Sequence, residues 1–283
     1  MEENKKQIVV TWDFTPVAEN ALAHAAKISR TINNDICLLH IVSPGISPKE
    51  ETKTRIIMKQ LAESNSQKYN MPVTYHISKG SIFKSIAEFA NEQEASLVVM
   101  GTHGMKGMQK LTGSWALKVI VKSKIPFIVI QDPPADQEKY RNIVFPIDFK
   151  TETKEKIQMA IFMGKYFESK IHLLVGKSTD KGLLKKINTN LNFTIKYFIQ
   201  NNIEYEIHKL PKGNMAEQTI EFAQEIKADL IVIVTTKNIT FADYMLGASE
   251  QHLIANSSKI PVCCVNPKAS FSNVSQFMGG WGA

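Results

Sequence analysis

Ala95-Ser96-Leu97-Val98-Val99-Met100-Gly101-Thr102-His103-Gly104, continued through Gly113-Ser114-Trp115, is the stretch on which the fold turns. Leu97 to Met100 is a short apolar run bounded by small polar residues, the mark of a strand buried on both faces. A helical pattern then runs from Trp115 to Lys122. A glycine-bearing loop between a buried strand and a helix start is where an α/β sheet binds phosphate. Glycine lets the backbone approach an anion, and the unpaired N–H groups of the helix start donate to it. Lys106, Lys110 and Lys118 lie in or beside the loop, and no acid falls between 101 and 114. Gly-x-x-Gly alone says little, so its weight comes from the surrounding chain.

Working outward, Gln7 to Trp12 reads as a buried strand. Asp13-Phe14-Thr15-Pro16 then gives a turn and a helix start, with Thr15 as N-cap and Pro16 at the first helical position. Ala18, Ala21, Leu22, Ala25, Ala26 and Ser29 recur at helical spacing, a face of small residues that lies close on a sheet. Asp35 to Val42 is a second strand, followed by a polar helix from about Lys49 to Tyr69. Pro72 to Ser78 is a third strand, Ile82 to Ala90 a helix, and Pro126 to Gln131 a fifth strand. Alternating strands and helices predict βαβ units: a doubly wound, mostly parallel α/β sheet of about five strands with helices on both faces. Ligands of such sheets bind beyond the carboxyl ends of the strands, where strand order reverses. Asp13, Ile41 and the Gly101 loop all leave carboxyl ends and are expected to face one crevice.

Asp132-Pro133-Pro134-Ala135-Asp136 is a linker by composition, and after it the pattern restarts. Asn142 to Phe149 repeats Ile8 to Phe14, with Asp148 matching Asp13 at an offset of 148 − 13 = 135. Lys212-Gly213 repeats Lys79-Gly80 at an offset of 133, and Lys259-Ile260-Pro261-Val262 repeats Lys124-Ile125-Pro126-Phe127 at 135. Ala228 to Val234 repeats the fourth strand. Near-constant offsets mean an internal duplication.

At 283 residues and 43% hydrophobic content the chain is of globular composition, without an apolar run long enough to span a membrane. Glu2 to Lys6 runs straight into a strand, leaving no room for a signal peptide, so the expected place is the cytoplasm. Three cysteines, Cys37, Cys263 and Cys264, sit in apolar runs and read as buried small residues, not metal ligands or disulfides. The net charge of +7 is spread along the chain, which favours anionic ligands without the basic-aromatic patch of a nucleic-acid protein.

Taken in order, these features resemble the universal stress protein family in tandem form, over about residues 6–267. They are Asp13 after the first strand, Leu38-Leu39-His40-Ile41-Val42, Met100-Gly101-Thr102-His103-Gly104, Gly113-Ser114 opening a helix, and Ile125-Pro126-Phe127-Ile128-Val129-Ile130. The resemblance implies two Rossmann-like, adenine nucleotide alpha hydrolase-like domains at 1–134 and 139–267, with a flexible tail at 268–283. It implies ATP or a related adenine nucleotide in the first domain, with or without Mg2+. In ATP-binding members, positions matching Asp13 and the Ile41 backbone hold adenine and ribose, and those matching Gly101, Gly104, Gly113 and Ser114 hold phosphates. Met100, His103 and Trp115 complete the set. It also implies an intramolecular pseudo-dimer through strands near 126–131 and 261–266, and a role in stress response or signalling.

The chain departs from that pattern in two places. Met105 to Thr112 is one residue shorter than the family's ATP-binding loop, and each charge-assisted bond misplaced in consequence costs about 1.5–3 kcal/mol. In the second half, alignment on Gly247 puts Thr235 at the Gly101 position and Asn238 at that of Gly104, with Asp243 opposite Lys237 and Ser249 one place late. That half is expected to be degenerate for nucleotide. His40 and a counterpart, His172, are expected to be satisfied strand residues, and Ser81-Ile82-Phe83-Lys84 an ordinary helix start. No Gly-x-x-x-x-Gly-Lys-Ser/Thr is present, so at most slow ATP hydrolysis is expected, not an efficient enzyme. The other reading is a non-nucleotide scaffold of the same fold. Its tail, carrying Phe271, Phe277 and Trp281, docks on a protein partner.

Overall fold

The computed structural model describes residues 5–102, 113–135, 139–147, 153–235 and 249–266, the side chains of 113–115 and 153–155 excepted. His103, Gly104, Lys106, Lys110, Asp148, Asn238, Asp243, Gly247 and the tail at 268–283 lie outside the described residues.

The strands of the first half are β1 (Gln7–Thr11), β2 (Asp35–Val42), β3 (Val73–Lys79), β4 (Leu97–Gly101) and β5 (Phe127–Ile130). Between them run helices α1 (Pro16–Ile32), α2 (Pro48–Tyr69), α3 (Ile82–Glu92) and α4 (Gly113–Ile120). The second half carries β6 (Asn142–Ile147), β7 (Lys170–Val175), β8 (Tyr205–Lys209), β9 (Leu230–Val234) and β10 (Val262–Val265). Its helices are α5 (Thr153–Phe167), α6 (Lys181–Gln200), α7 (Met215–Glu225) and α8 (Ser249–Ile254).

Local chemistry sets the helix ends. Thr15 caps α1 by accepting from the Ala18 N–H, Pro16 opens it, and Asn33 closes it in the left-handed region at φ 54°. The alanine-rich face of α1 is buried, as its spacing predicts. A reciprocal capping box between Ser47 and Glu50 starts α2. That helix buries only Met58 and Ala62 among its residues and lies largely in solvent.

All ten strands form one sheet, in the order β3-β2-β1-β4-β5-β10-β9-β6-β7-β8. Neighbours within each half run parallel. The halves join where β5 and β10 pair antiparallel, with Val129 opposite Val262 and Phe127 opposite Cys264. Alternate residues feed two apolar layers, one containing Ile8, Val10, Leu38 and Phe145, the other Val9, Leu39, Met100 and Phe127. Both layers draw on both halves, and full burial of each such side chain contributes about 1.5–3 kcal/mol. The doubly wound α/β architecture matches the expectation. The three cysteines are free and buried, with the Cys37 thiol pushed up to about 11 and Cys263 to about 12 by burial.

Polar ties fasten the join. Gln131 Nε2 donates to the Asn256 carbonyl at 3.0 Å, and Asn266 Nδ2 to the Ile120 carbonyl at 3.1 Å. The buried His24 of α1 accepts from the Tyr140 hydroxyl through Nδ1 at 2.8 Å and donates through Nε2 to the Asp132 carbonyl at 3.2 Å. A carbonyl only accepts, which fixes that tautomer. No described helix is long and apolar enough to cross a membrane.

Candidate functional site

Strand order reverses between β1 and β4: β2 and β3 lie to one side, β5 to the other. The carboxyl ends of β1 and β4 therefore part and leave a crevice, the usual ligand position of an open α/β sheet. Asp13, Ile41, Met100 and Gly101 all line it, so four of the predicted site residues meet there. The crevice encloses about 480 Å³ of empty space including its open mouth. A wider cleft of about 980 Å³ shares His40 with it and reaches over the β2–α2 loop to Glu50 and Lys53.

Asp13 is exposed, and its Oδ1 accepts from the Thr15 N–H at 3.1 Å and the Thr15 hydroxyl at 2.6 Å. One carboxylate oxygen thus supports the cap of α1, and the other takes no partner among the described residues. Phe14 is held at φ 62°, a strained conformation for a bulky residue. It lies edge-on to His40, ring centroids 4.7 Å apart. His40 Nδ1 donates to the Trp12 carbonyl at 2.7 Å, which leaves Nε2 as the acceptor of the neutral ring.

Gly101 has a structural reason of its own. A Cβ there would lie 2.7 Å from Val17 Cγ1 and 2.8 Å from the Val17 carbonyl oxygen. The first turn of α1 rests on the end of β4 at a distance only glycine permits. Met100 is buried, and Gly113, Ser114 and Trp115 form the first turn of α4. His103 and Gly104, the other predicted phosphate ligands, lie outside the described residues. Lys118 sits with its ammonium 5.7 Å from the Phe83 ring on α3.

Sequence reasoning missed Trp12, His40, Ile82 and Ile86 as crevice walls. Ile82 and Ile86 read only as marks of a helix, because helical spacing shows a face and not what covers it. His40 was expected to be satisfied in its strand, and its Nδ1 is; its membership of the wall comes from its place at the end of β2. The Trp12 indole N–H and the Thr102 hydroxyl are buried with no hydrogen-bond partner among the described residues. Each such group costs about 1–3 kcal/mol unless something satisfies it. One lies in the crevice wall, the other directly after Gly101, and a ligand with polar atoms among apolar surface fits that wall. Ser81 and Lys84 are an ordinary helix start, as expected: Ser81 precedes α3 and Lys84 pairs with Glu88 at 3.3 Å.

The second half corrects two alignments. Gly101 lies opposite Ile130 as Val234 lies opposite Val265. The Thr102 N–H bonds the Ile130 carbonyl at 2.9 Å, and the Thr235 N–H bonds that of Val265 at 3.0 Å. The counterpart of Gly101 is therefore Val234, not Thr235, and alignment on Gly247 runs one residue out. The offset is 234 − 101 = 133 at the strand and 247 − 113 = 134 at the glycine, so the second half has one residue more between the two points. Likewise Val144 opposite His172 matches Val9 opposite Cys37, so His172 is the counterpart of Cys37 and not of His40. A β-branched residue at 234 occupies the place where the first half needs glycine. The buried Lys156 donates to the Pro146 carbonyl at 2.6 Å, where the first half has Ala21.

Comparison with known proteins gives a consistent result. Residues 5–131 match the universal stress protein family. A universal stress protein of Methanocaldococcus jannaschii is 27% identical over 141 residues, 45% of this chain and 83% of that protein. Universal stress protein A homolog 1 of Coxiella burnetii is 24% identical over 127 residues, 41% of this chain and 88% of that one. Among solved structures, a universal stress protein from Archaeoglobus fulgidus superposes with a TM-score of 0.74 at 15% identity, covering 92% of this chain and 96% of that one. At that identity the superposition speaks to the fold.

Proposed function

Residues 5–131 match the universal stress protein family, and on that premise we propose that the first-half crevice binds ATP or a related adenine nucleotide. The observation that carries this reading is the meeting of Asp13, Ile41, Met100 and Gly101 at the point where strand order reverses. The free oxygen of Asp13 takes a ribose hydroxyl, the backbone at Ile41 the adenine, and the loop after Gly101 the phosphates, with Mg2+ as their companion ion. Binding orders that loop, so the nucleotide acts as a conformational signal in a stress response and not as fuel. In this reading the chain is a cytoplasmic pseudo-dimer of two domains, 1–134 and 139–267, joined through β5 and β10.

Mass spectrometry of ligand carried through purification tests it, with calorimetry of ATP binding. Gly104→Val is expected to abolish binding and leave the circular dichroism unchanged. Asp13→Asn is expected to weaken binding about 10- to 100-fold, the loss of one hydrogen bond to a charged group. No nucleotide in the purified protein, together with no binding at millimolar ATP, sinks the reading.

A second reading, a scaffold that binds no nucleotide, is favoured by one observation: Asp13 and Gly101 both have internal partners, Thr15 and Val17. It predicts a silent Gly104→Val and a protein partner lost when 268–283 is deleted.

A further inference from the structure

At the far end of the sheet from the crevice, three side chains of the second half converge. We propose that His172, His208 and Glu206 form a binding site for a divalent transition ion of the zinc class. His172 lies opposite Glu206 and Leu174 opposite His208 across β7 and β8, so all three side chains share one face of the sheet. One ligating atom from each lies within 4.8 Å of the others.

The two imidazoles meet nitrogen to nitrogen, His172 Nδ1 and His208 Nε2 being 3.1 Å apart. Tetrahedral zinc, at about 2.0–2.1 Å from each nitrogen, sets two such ligands roughly 3.3 Å apart. His172 is already oriented for this. Its Nε2–H donates to Asn142 Oδ1 at 3.2 Å, so Nδ1 carries the lone pair. That is the outer-shell support metal-ligating histidines have. Burial first, then His208 and Lys170, hold His172 below its ordinary value. The Phe222 ring of α7, 4.5 Å from that of His208, fixes the second imidazole.

Glu206 supplies the third ligand. Its Oε2 lies 3.9 Å from His208 Nε2 and 2.8 Å from the ammonium of Lys170. Lys170 is thus a competitor that the ion displaces. Two imidazoles and one carboxylate suit zinc and its neighbours in the series and not calcium or magnesium. The fold does not require the trio: the matching positions of the first half are Cys37, Thr74 and His76.

The test uses the untagged full chain, stripped with a chelator and titrated with Zn2+ against a chromophoric chelator, with Co2+ absorption as a second measure. One equivalent is expected, with the intense bands of tetrahedral Co2+. His172→Gln and His208→Gln each weaken zinc binding by about 100-fold or more, and Asn142→Ala by about 10-fold. Lys170→Met tightens binding, a gain that a merely damaged sheet edge does not produce. Failure of the wild type to bind Zn2+, equal affinity in wild type and His208→Gln, an octahedral Co2+ spectrum, or weaker binding by Lys170→Met each overturns the proposal. ATP titration of the same variants is unaffected, which separates this site from the crevice.

Discussion

Gly101→Ala separates the two reasons for a glycine at the end of β4. The added methyl carbon meets Val17 Cγ1 at 2.7 Å and the Val17 carbonyl oxygen at 2.8 Å. The side-chain contact can be relieved by a rotamer change, but the carbonyl belongs to the first turn of α1 and moves only with the helix. That turn is held by the Thr15 cap and its bond to Asp13, so the strain spreads to the crevice. Overpacking of this kind costs about 1–3 kcal/mol. In a protein of this size about 2 kcal/mol lowers the melting temperature by roughly 4–8 °C. Calorimetric melting of nucleotide-free protein measures it. Val17→Ala combined with Gly101→Ala is expected to recover part of the loss, because it removes Cγ1 and leaves the carbonyl in place. A nucleotide-free Gly101→Ala that melts within about 1 °C of wild type refutes the packing argument. The glycine would then serve only the ligand.

Thr15→Ala removes the cap of α1 and the hydroxyl bonded to Asp13, and is expected to cost about 1 kcal/mol in urea unfolding. His24 is held down to about 4 by burial, against an ordinary 6.5. Between those values the unfolded chain binds a proton that the folded chain refuses, so stability falls as pH drops from about 6.5 to about 4 and rises again with pH. The full loss is about 3 kcal/mol, and His24→Gln is expected to flatten that part of the unfolding midpoint against pH. Tyr140→Phe leaves His24 Nδ1 buried without its donor and is expected to cost about 1–3 kcal/mol. Nitrogen-15 NMR is expected to find His40 protonated at Nδ1 when neutral, as its bond to the Trp12 carbonyl requires; an Nε2-protonated ring contradicts that geometry.

The sequence by itself determined whatever depends on neighbours along the chain. Apolar runs such as Leu97 to Met100 became buried strands, and Thr15-Pro16 and Ser47-Pro48 opened helices, because capping and periodicity act within a few residues. The repeat offset likewise foretold a duplicated α/β pattern, and Asp13, Ile41, Met100 and Gly101 were legible as neighbours in one crevice because strand ends at an order reversal must meet. Tertiary structure alone decided the rest. Val17 as the reason for Gly101, Val234 as its true counterpart, and the meeting of His172 with His208 all depend on pairing register between distant segments. The offset between the halves changes from 135 at Val9 and Val144 to 133 at Gly101 and Val234, and no local pattern reports the change. In a parallel sheet a one-residue error moves a side chain to the opposite face, so which residues touch is settled only once the strands are paired.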